Sequence, residues 1–446
     1  MWLRVCLSFA LIAAVPGRSQ VTIGGGAGPG YTDGLGSTGQ MRTPPPVNGD
    51  SYPTAAGAEV RSNFLRLALI ETTAYSDNVL GDAFKPVSDV SYLINPTIAI
   101  DKTTSREHLT FSYTPGFTIY QQTSVLNQTS QYLTLASAYR LTRHATLSLQ
   151  DSFQYTSNFL DQPDPFATDV NPVSATPLYA IIAPVAGQIA NGARAELTYQ
   201  FSMNGMIGTS GTFTDLHYLK TTENLGIYDS KSGGGSVFYN RRLSKRHYVG
   251  GSYQHSETVA YPTNAKSTIQ SDTFFLFYTI YLKPTFSFSF SGGPQHYVIS
   301  QSPIPGYGSW SPTLTGSMGW QGRHTNLSAN FSRVVGGGGG LVGAFQSLYF
   351  GASGRWLCSR DWSVGFVGSY LNNKDVTPSG LLSTEGGHSI LGTMSAQHQL
   401  SQRWSMEFGY TRLVQIYSGI PVVSRAPYTN REFVSFSYHF TRPLGG

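Results

Sequence analysis

Apolar and polar residues alternate over most of this 446-residue chain, in segments of ten or more residues. Residues 285–291 read TFSFSFS, and residues 326–332 read NLSANFS. A period of two residues sends successive side chains to opposite faces, so it indicates β-strands with one apolar and one polar face. After residue 19, no apolar stretch reaches the roughly 18–20 residues of a membrane-spanning helix. Strands, rather than helices, therefore define the predicted fold.

The connections between these segments fall into two length classes. Eight short polar turns lie near residues 102–106, 142–143, 203–205, 244–246, 283–284, 321–325, 359–361 and 401–403. Nine longer connections lie near residues 77–88, 124–128, 161–187, 220–235, 260–267, 300–309, 336–341, 372–386 and 418–427. Strands of about ten residues, with short turns at one end and long loops at the other, are typical of transmembrane barrels. We predict an all-β fold, a transmembrane antiparallel up-and-down β-barrel of about 18 strands, with 16–18 compatible with the pattern.

The N-terminal region predicts export of the chain. Arg4 precedes an apolar run over residues 5–15, and the small residues Gly17 and Ser19 suit a cleavage site. This arrangement predicts a signal peptide over residues 1–19. Residues 20–60 are rich in Gly and Pro and predict a disordered periplasmic linker, because they contain too few apolar residues to form a core. The predicted barrel then covers residues 61–440, and residues 441–446 form a tail.

The short turns share a pattern: an apolar residue, a polar and basic pair, and then an aromatic residue or His. Residues 141–144 read LTRH, and residues 400–404 read LSQRW. Ordinary hairpin chemistry explains this pattern, and so does a basic girdle at the periplasmic edge of the membrane, with Trp362 and Trp404 in an aromatic belt. The last strand carries Val434, Phe436 and Phe440 on its apolar face, which resembles the signal for the barrel assembly machinery. We therefore expect both termini in the periplasm of a bacterium and the barrel in lipid of its outer membrane.

Three short motifs at the start of the predicted barrel resemble a known family. Residues 74–80 read AYSDNVL, residues 94–97 read INPT, and residues 111–115 read FSYTP. They are similar to the opening of β-barrel porins found with exopolysaccharide-type gene clusters. The resemblance extends in layout from residue 62 to Phe440. It implies an outer-membrane location and a barrel fold, without implying a particular substrate.

The sequence gives little sign of catalysis. It contains no G-x-S-x-G elbow and no His, Cys or Asp cluster with metal-ligand spacing, so we expect no enzyme activity, no cofactor and no metal. His398 lies on an apolar face near a turn, where an interfacial His is the ordinary interpretation. The glycine run from Gly336 to Gly340 predicts a flexible surface loop. The net charge of +5 is scattered and does not predict nucleic-acid binding.

The alternation also assigns individual side chains to faces. Phe288 is expected outside, where an arginine would impair assembly, and Ser287 inside, where an arginine would be tolerated. Asp151 shares the apolar face with Leu149 and Phe153, which predicts either a β-bulge or a contact with another protomer, and we favour the bulge. The charged residues expected to line the lumen are Arg140, Arg194, Glu196, Arg355 and Glu407.

Three functions are compatible with this fold. The first is a porin-like channel that passes small hydrophilic solutes or assists glycan export, because a barrel of eighteen strands is wide enough for water. The second is a structural or adhesive surface barrel with a packed polar interior, and the least favoured is an outer-membrane enzyme. The connection at 161–187 contains five prolines and an apolar second half. It predicts either a constriction folded into the lumen, which we favour, or a contact within an oligomer.

Overall fold

The structure is a computed structural model. It describes residues 63–81, 85–156, 187–219, 227–262, 266–283, 285–301, 304–322, 324–338, 340–383, 386–417 and 428–444. The predicted signal peptide and linker lie outside the described residues, as do residues 157–186, which hold nearly all of the connection predicted to constrict the lumen. No helix in the described part of the chain is long and apolar enough to cross a membrane.

The described residues form eighteen β-strands and one short 3-10 turn at Ser124–Leu126. The strands are β1 Phe64–Ser76, β2 Asp89–Thr103, β3 Glu107–Tyr120, β4 Gln128–Arg140, β5 Ala145–Thr156, β6 Gln188–Ser202, β7 Gly205–Tyr218, β8 Ser230–Arg242, β9 His247–Ala260, β10 Ser267–Lys283, β11 Phe286–Gln301, β12 Ile304–Gln321, β13 Thr325–Gly338, β14 Leu341–Leu357, β15 Trp362–Asp375, β16 Gly387–Gln399, β17 Trp404–Tyr417 and β18 Tyr428–Pro443.

The strands close into a single antiparallel barrel. Each strand pairs with its neighbours in the sequence, and β1 pairs with both β2 and β18. The closing pair runs from Phe64 opposite Pro443 to Ser76 opposite Arg431. The prediction of an all-β up-and-down barrel of about eighteen strands is confirmed. The wall continues to Pro443, three residues beyond the predicted end at Phe440.

The two classes of connection lie at opposite ends of the barrel. We call them the short-turn end, which also holds the start of β1 and the end of β18, and the long-loop end. Two predicted loops lie largely within strands, because β11 continues to Gln301 before β12 begins at Ile304, and β13 continues to Gly338. The predicted loop at 220–235 also ends early, since β8 begins at Ser230. These segments are rich in Gly, Ser and Pro, as loops are, but their backbones pair with neighbouring strands.

The two faces of the wall differ as the alternation predicts. On β11, Phe288 and Phe290 are 41% and 45% exposed, whereas Ser287 and Ser289 are 1% and 0% exposed. In a closed barrel the exposed apolar set faces outward and the polar set faces the lumen. The burial of Ser287 shows that the inner face is packed there. An arginine at this position would have no room, contrary to the expectation from the sequence.

Asp151 faces outward from a regular strand. β5 pairs with β4 and β6 without any shift of register, so the predicted bulge is wrong. The carboxylate lies in the row between Leu135 and Ala193. Asn191 Nδ2 donates to Asp151 Oδ1 at 3.3 Å, so a polar neighbour on the same outer face partly satisfies the carboxylate without any change in the backbone.

Candidate functional site in the barrel lumen

One hairpin leaves the wall at the long-loop end. β12 and β13 pair from Gln321 opposite Asn326 up to Leu314 opposite Arg333. Above that row β13 has no pairing with β12, although β12 continues to Ile304. β13 instead stays paired with β14, up to Gly338 opposite Leu341. We call residues 334–338 and 340–345 the lumen hairpin.

Local sequence explains where the strands separate. Pro312 lies two residues above Leu314, the last β12 residue paired with β13, and proline cannot donate a backbone hydrogen bond to a neighbouring strand. The glycine run supplies an arm without side chains, which can lie close against an opposing surface. Gly337 is buried within the barrel. The prediction that Gly336 to Gly340 form a flexible surface loop is therefore wrong for the described glycines, since they belong to or flank a hairpin packed in the lumen.

A buried glutamine fastens the hairpin to the inner wall. Gln295, on β11, donates from Nε2 to the carbonyl oxygen of Val335 at 2.6 Å. The Val335 N–H donates to Gln295 Oε1 at 2.9 Å. The Gln295 carboxamide thus makes with Val335 the two hydrogen bonds that a residue of a neighbouring strand would otherwise make. Net hydrogen bonds contribute about 1 kcal/mol each, but leaving a buried partner unsatisfied costs about 1–3 kcal/mol.

A second glutamine of β11 fastens another inward segment. Gln301 Nε2 donates to the carbonyl oxygen of Leu382 at 2.6 Å, and the Leu382 N–H donates to Gln301 Oε1 at 2.7 Å. Leu382 belongs to the connection between β15 and β16. Thr377, in the same connection, accepts from the N–H of Ala344 at 2.9 Å. This connection is therefore bonded both to the wall and to the lumen hairpin.

The hairpin packs against both sides of the barrel. One buried apolar cluster joins it to β6, β7, β15 and β17, and its members are Ala190, Leu216, Tyr218, Ile227, Leu341, Phe345, Leu371 and Tyr417. A second cluster joins it to β10 and β11, and its members are Ile269, Tyr297, Ile299, Val335 and Ala344. Because these contacts come from strands far apart in the wall, the hairpin spans the lumen.

At two positions of this region the backbone adopts a conformation that favours glycine. Gly340 has φ +86° and Gly343 has φ +107°, a region that other residues rarely adopt. A Cβ at Gly340 would lie 2.6 Å from the Tyr218 hydroxyl. The Tyr228 N–H also donates to the Gly340 carbonyl oxygen at 3.0 Å. The tip of the hairpin is thus fixed against the wall between β7 and β8.

Two adjacent glycines provide a matched test of this packing. A Cβ at Gly337 would lie 2.1 Å from Ile269 Cδ1, whereas a Cβ at Gly336 would meet nothing within 4 Å. We expect Gly337→Ala to destabilise the seated hairpin by about 1–3 kcal/mol through overpacking, and Gly336→Ala to be close to neutral. Limited proteolysis of the hairpin measures the difference. Adding Ile269→Ala should rescue Gly337→Ala, and equal cleavage of both single variants would contradict the packing.

The charged residues predicted to line the lumen lie on the inward face of their strands, but they do not form one cluster. Arg194 Nη2 contacts Glu196 Oε2 at 2.5 Å. Arg355 donates to Ser363 Oγ at 2.8 Å and also to Gln397, which lies opposite Glu407. Arg140 stands apart as the last residue of β4.

Sequence reasoning missed Gln295 and Gln301. Both occupy inward positions of an alternating strand, where any polar residue fits the pattern. Their partners, Val335 and Leu382, are 40 and 81 residues away. No local signal identifies such a pairing, and only the departure of β13 from the wall creates it.

The described residues contain no group of three His, Cys, Asp or Glu side chains placed to hold a metal. His398 stacks on Trp362 with 4.4 Å between ring centroids, and its Nδ1 lies 3.3 Å from the Asp361 carbonyl oxygen. Both residues lie at the short-turn end. These contacts hold the His398 ring against Trp362 at the edge of the wall.

Comparison with solved structures finds outer-membrane proteins of low sequence identity. The outer membrane protein OpdK from Pseudomonas aeruginosa is 9% identical, with a TM-score of 0.39, over 85% of this chain and 99% of that one. OccK2 from the same organism, solved with glucuronate, is 8% identical, with a TM-score of 0.41, over 84% of this chain and 98% of that one. The ferric citrate transporter FecA is 9% identical, with a TM-score of 0.43, over 85% of this chain and 79% of that one.

No protein-family model matches the sequence, and comparison with curated proteins finds no match. The barrel assignment therefore rests on the strand pairing itself.

Proposed function

We propose that this chain is a porin-like channel of the bacterial outer membrane that passes small hydrophilic solutes through a lumen narrowed by the lumen hairpin. The observation that carries the proposal is the closed wall of eighteen strands, apolar outside and polar inside. Side chains alone only just fill a barrel of eight strands, so eighteen strands enclose space for a water-filled path.

The outer surface supports the membrane location. Its exposed apolar residues lie on alternating positions of successive strands, such as Leu197 and Tyr199 on β6 and Phe408 and Tyr410 on β17. Trp356, Trp362 and Trp404 are exposed at the short-turn end. Aromatic residues at one edge of an apolar band are typical of a membrane interface. With this orientation, the short-turn end and both termini of the wall would face the periplasm.

The lumen hairpin supports selectivity by size. Together with the connection between β15 and β16, it brings buried apolar residues and two glutamine-held backbone segments into the long-loop end of the barrel. A segment held by several hydrogen bonds and two apolar clusters forms a fixed constriction rather than a freely moving loop. The pore would therefore admit solutes much smaller than the diameter of the barrel.

Single-channel recording in a planar bilayer tests the proposal. The purified barrel should produce discrete, stable conductance steps, and neutral polymers of increasing size added to the bath should define a narrow cutoff. A barrel that is correctly assembled, as judged by its heat-dependent gel mobility, but that shows no conductance would contradict the proposal.

A structural surface barrel is the second candidate. The two apolar clusters that join the hairpin to opposite walls favour it, because they would also suit an interior built for stability. Absence of conductance both before and after removal of the hairpin would support this candidate. A role in assisting glycan export is a narrower form of the channel proposal.

A further inference from the structure

Charge is distributed unequally between the two ends of the barrel. Among the described residues of the eight short turns, with two strand residues on each side, eleven are basic and two, Glu107 and Asp361, are acidic. The basic residues, which we call the basic crown, are Lys102, Arg106, Arg140, Arg143, Arg241, Arg242, Lys245, Arg246, Lys283, Arg360 and Arg403.

The described part of the long-loop end has no such excess. Counted in the same way over its described residues, it has four basic and four acidic side chains. The basic ones are Lys85, Lys231, Lys266 and Lys374, and the acidic ones are Asp77, Asp89, Asp229 and Asp375. Among the described residues, the positive excess therefore lies at the short-turn end.

Outward-facing basic residues need no further explanation. Arg241 lies on the same outer face as Val237 and Tyr239, which are both exposed. At the edge of a membrane, such a side chain can reach lipid phosphates. Residues of this kind would produce a basic girdle whatever the barrel does.

The inward-facing arginines cannot be explained in this way. Three of them, Arg140, Arg242 and Arg355, alternate with outward residues within the last four positions of β4, β8 and β14. The wall separates them from lipid, and they are spread around the circumference. The described carboxylates that face inward in the same zone are Asp101, which accepts from His108 at 3.2 Å, and Glu407, which interacts with the charge of Arg355. Arg140 and Arg242 have no inward carboxylate of this zone on their own strands or on the strands beside them.

We infer that the short-turn mouth is an electropositive entrance that selects small anionic solutes. This inference deepens the proposed channel function and depends on it. Charges of one sign in a low-dielectric opening concentrate ions of the opposite sign and raise their rate of entry.

The test records single channels with trigalacturonate as the anionic probe and maltotriose as the neutral control. Barrel orientation can be assigned because Cys358, in the turn between β14 and β15, is free and exposed. In a chain carrying Cys6→Ser, Cys358 is the single cysteine, so an impermeant maleimide reports which chamber faces the short-turn end.

We expect chloride to be more permeant than potassium, and trigalacturonate to block the current at lower concentration from the short-turn side. The block should weaken in 1 M salt, where the screening length falls to about 3 Å from about 10 Å at 0.1 M. Maltotriose should show neither the sidedness nor the salt dependence.

Two adjacent arginines provide the matched variants. Arg242→Gln, on the inner face, should reduce both the chloride preference and the trigalacturonate block, whereas Arg241→Gln, on the outer face, should leave both unchanged. A conducting barrel that prefers potassium, or that responds equally to the two variants, would overturn the inference while leaving the channel proposal intact. A barrel that does not conduct would overturn the channel proposal itself.

Discussion

An arginine in place of Met394 should prevent most of the protein from assembling, whereas an arginine in place of its neighbour Ser395 should not. Met394 is 63% exposed on the outer face of β16, between Phe366 and Tyr410 on the adjacent strands. An arginine facing lipid costs about 2–4 kcal/mol near the midplane of a membrane. That cost is a large part of the stability of an ordinary protein domain, about 5–15 kcal/mol.

Ser395 is the control because it lies one residue away and faces the lumen. It lies opposite Gly365 on β15, where a Cβ would meet nothing closer than 3.7 Å, so this side leaves room for a longer side chain. The fraction of heat-modifiable barrel in isolated outer membranes measures assembly. Equal recovery of the Met394→Arg and Ser395→Arg proteins would show that the assignment of faces is wrong.

Removing the lumen hairpin should raise single-channel conductance severalfold while the barrel still assembles. The change replaces residues 336–345 with Asn-Gly, so that a two-residue turn joins Val335 to Gln346, which lie opposite each other in the native ladder. The wall strands remain, because the pairing of β12 with β13 ends below this point, at Arg333. Conductance and gel mobility of the same preparation give the two readouts.

The Gly336→Ala protein serves as the control for this experiment, because its added Cβ would meet nothing within 4 Å. It should conduct like the unmodified barrel. If removal of the hairpin leaves the conductance unchanged in an assembled barrel, the hairpin does not limit the pore. The constriction would then lie elsewhere along the lumen.

The barrel could be predicted from the sequence because it depends on a local rule. Alternation places Phe288 outside and Ser287 inside whatever the rest of the chain does, and short turns such as 359–361 separate strands that can be counted. The strand count followed from eight short and nine long connections. Each of these inferences requires only neighbouring residues.

The lumen could not be predicted in the same way, because its interior depends on contacts between distant segments. The glycine run has the composition of a loop, and its placement inside the barrel depends on the meeting of Gly337 with Ile269, far away in the sequence. At Asp151 the error runs the other way, because an irregularity was predicted where the strand is regular. Its position on an apolar face predicted a bulge, but Asn191 on the next strand offers a hydrogen bond that leaves the backbone regular.

Closing a sheet into a barrel normally removes every unpaired edge, and the departure of β13 creates one again along residues 304–313 of β12. An exposed strand edge is a template on which a second copy of a chain can add its own strand, leading to aggregation. This stretch carries Pro305 and Pro312, which interrupt the row of donors that such an addition requires. Pro312, which ends the pairing that would hold the hairpin in the wall, therefore also protects the protein against self-association at its rim.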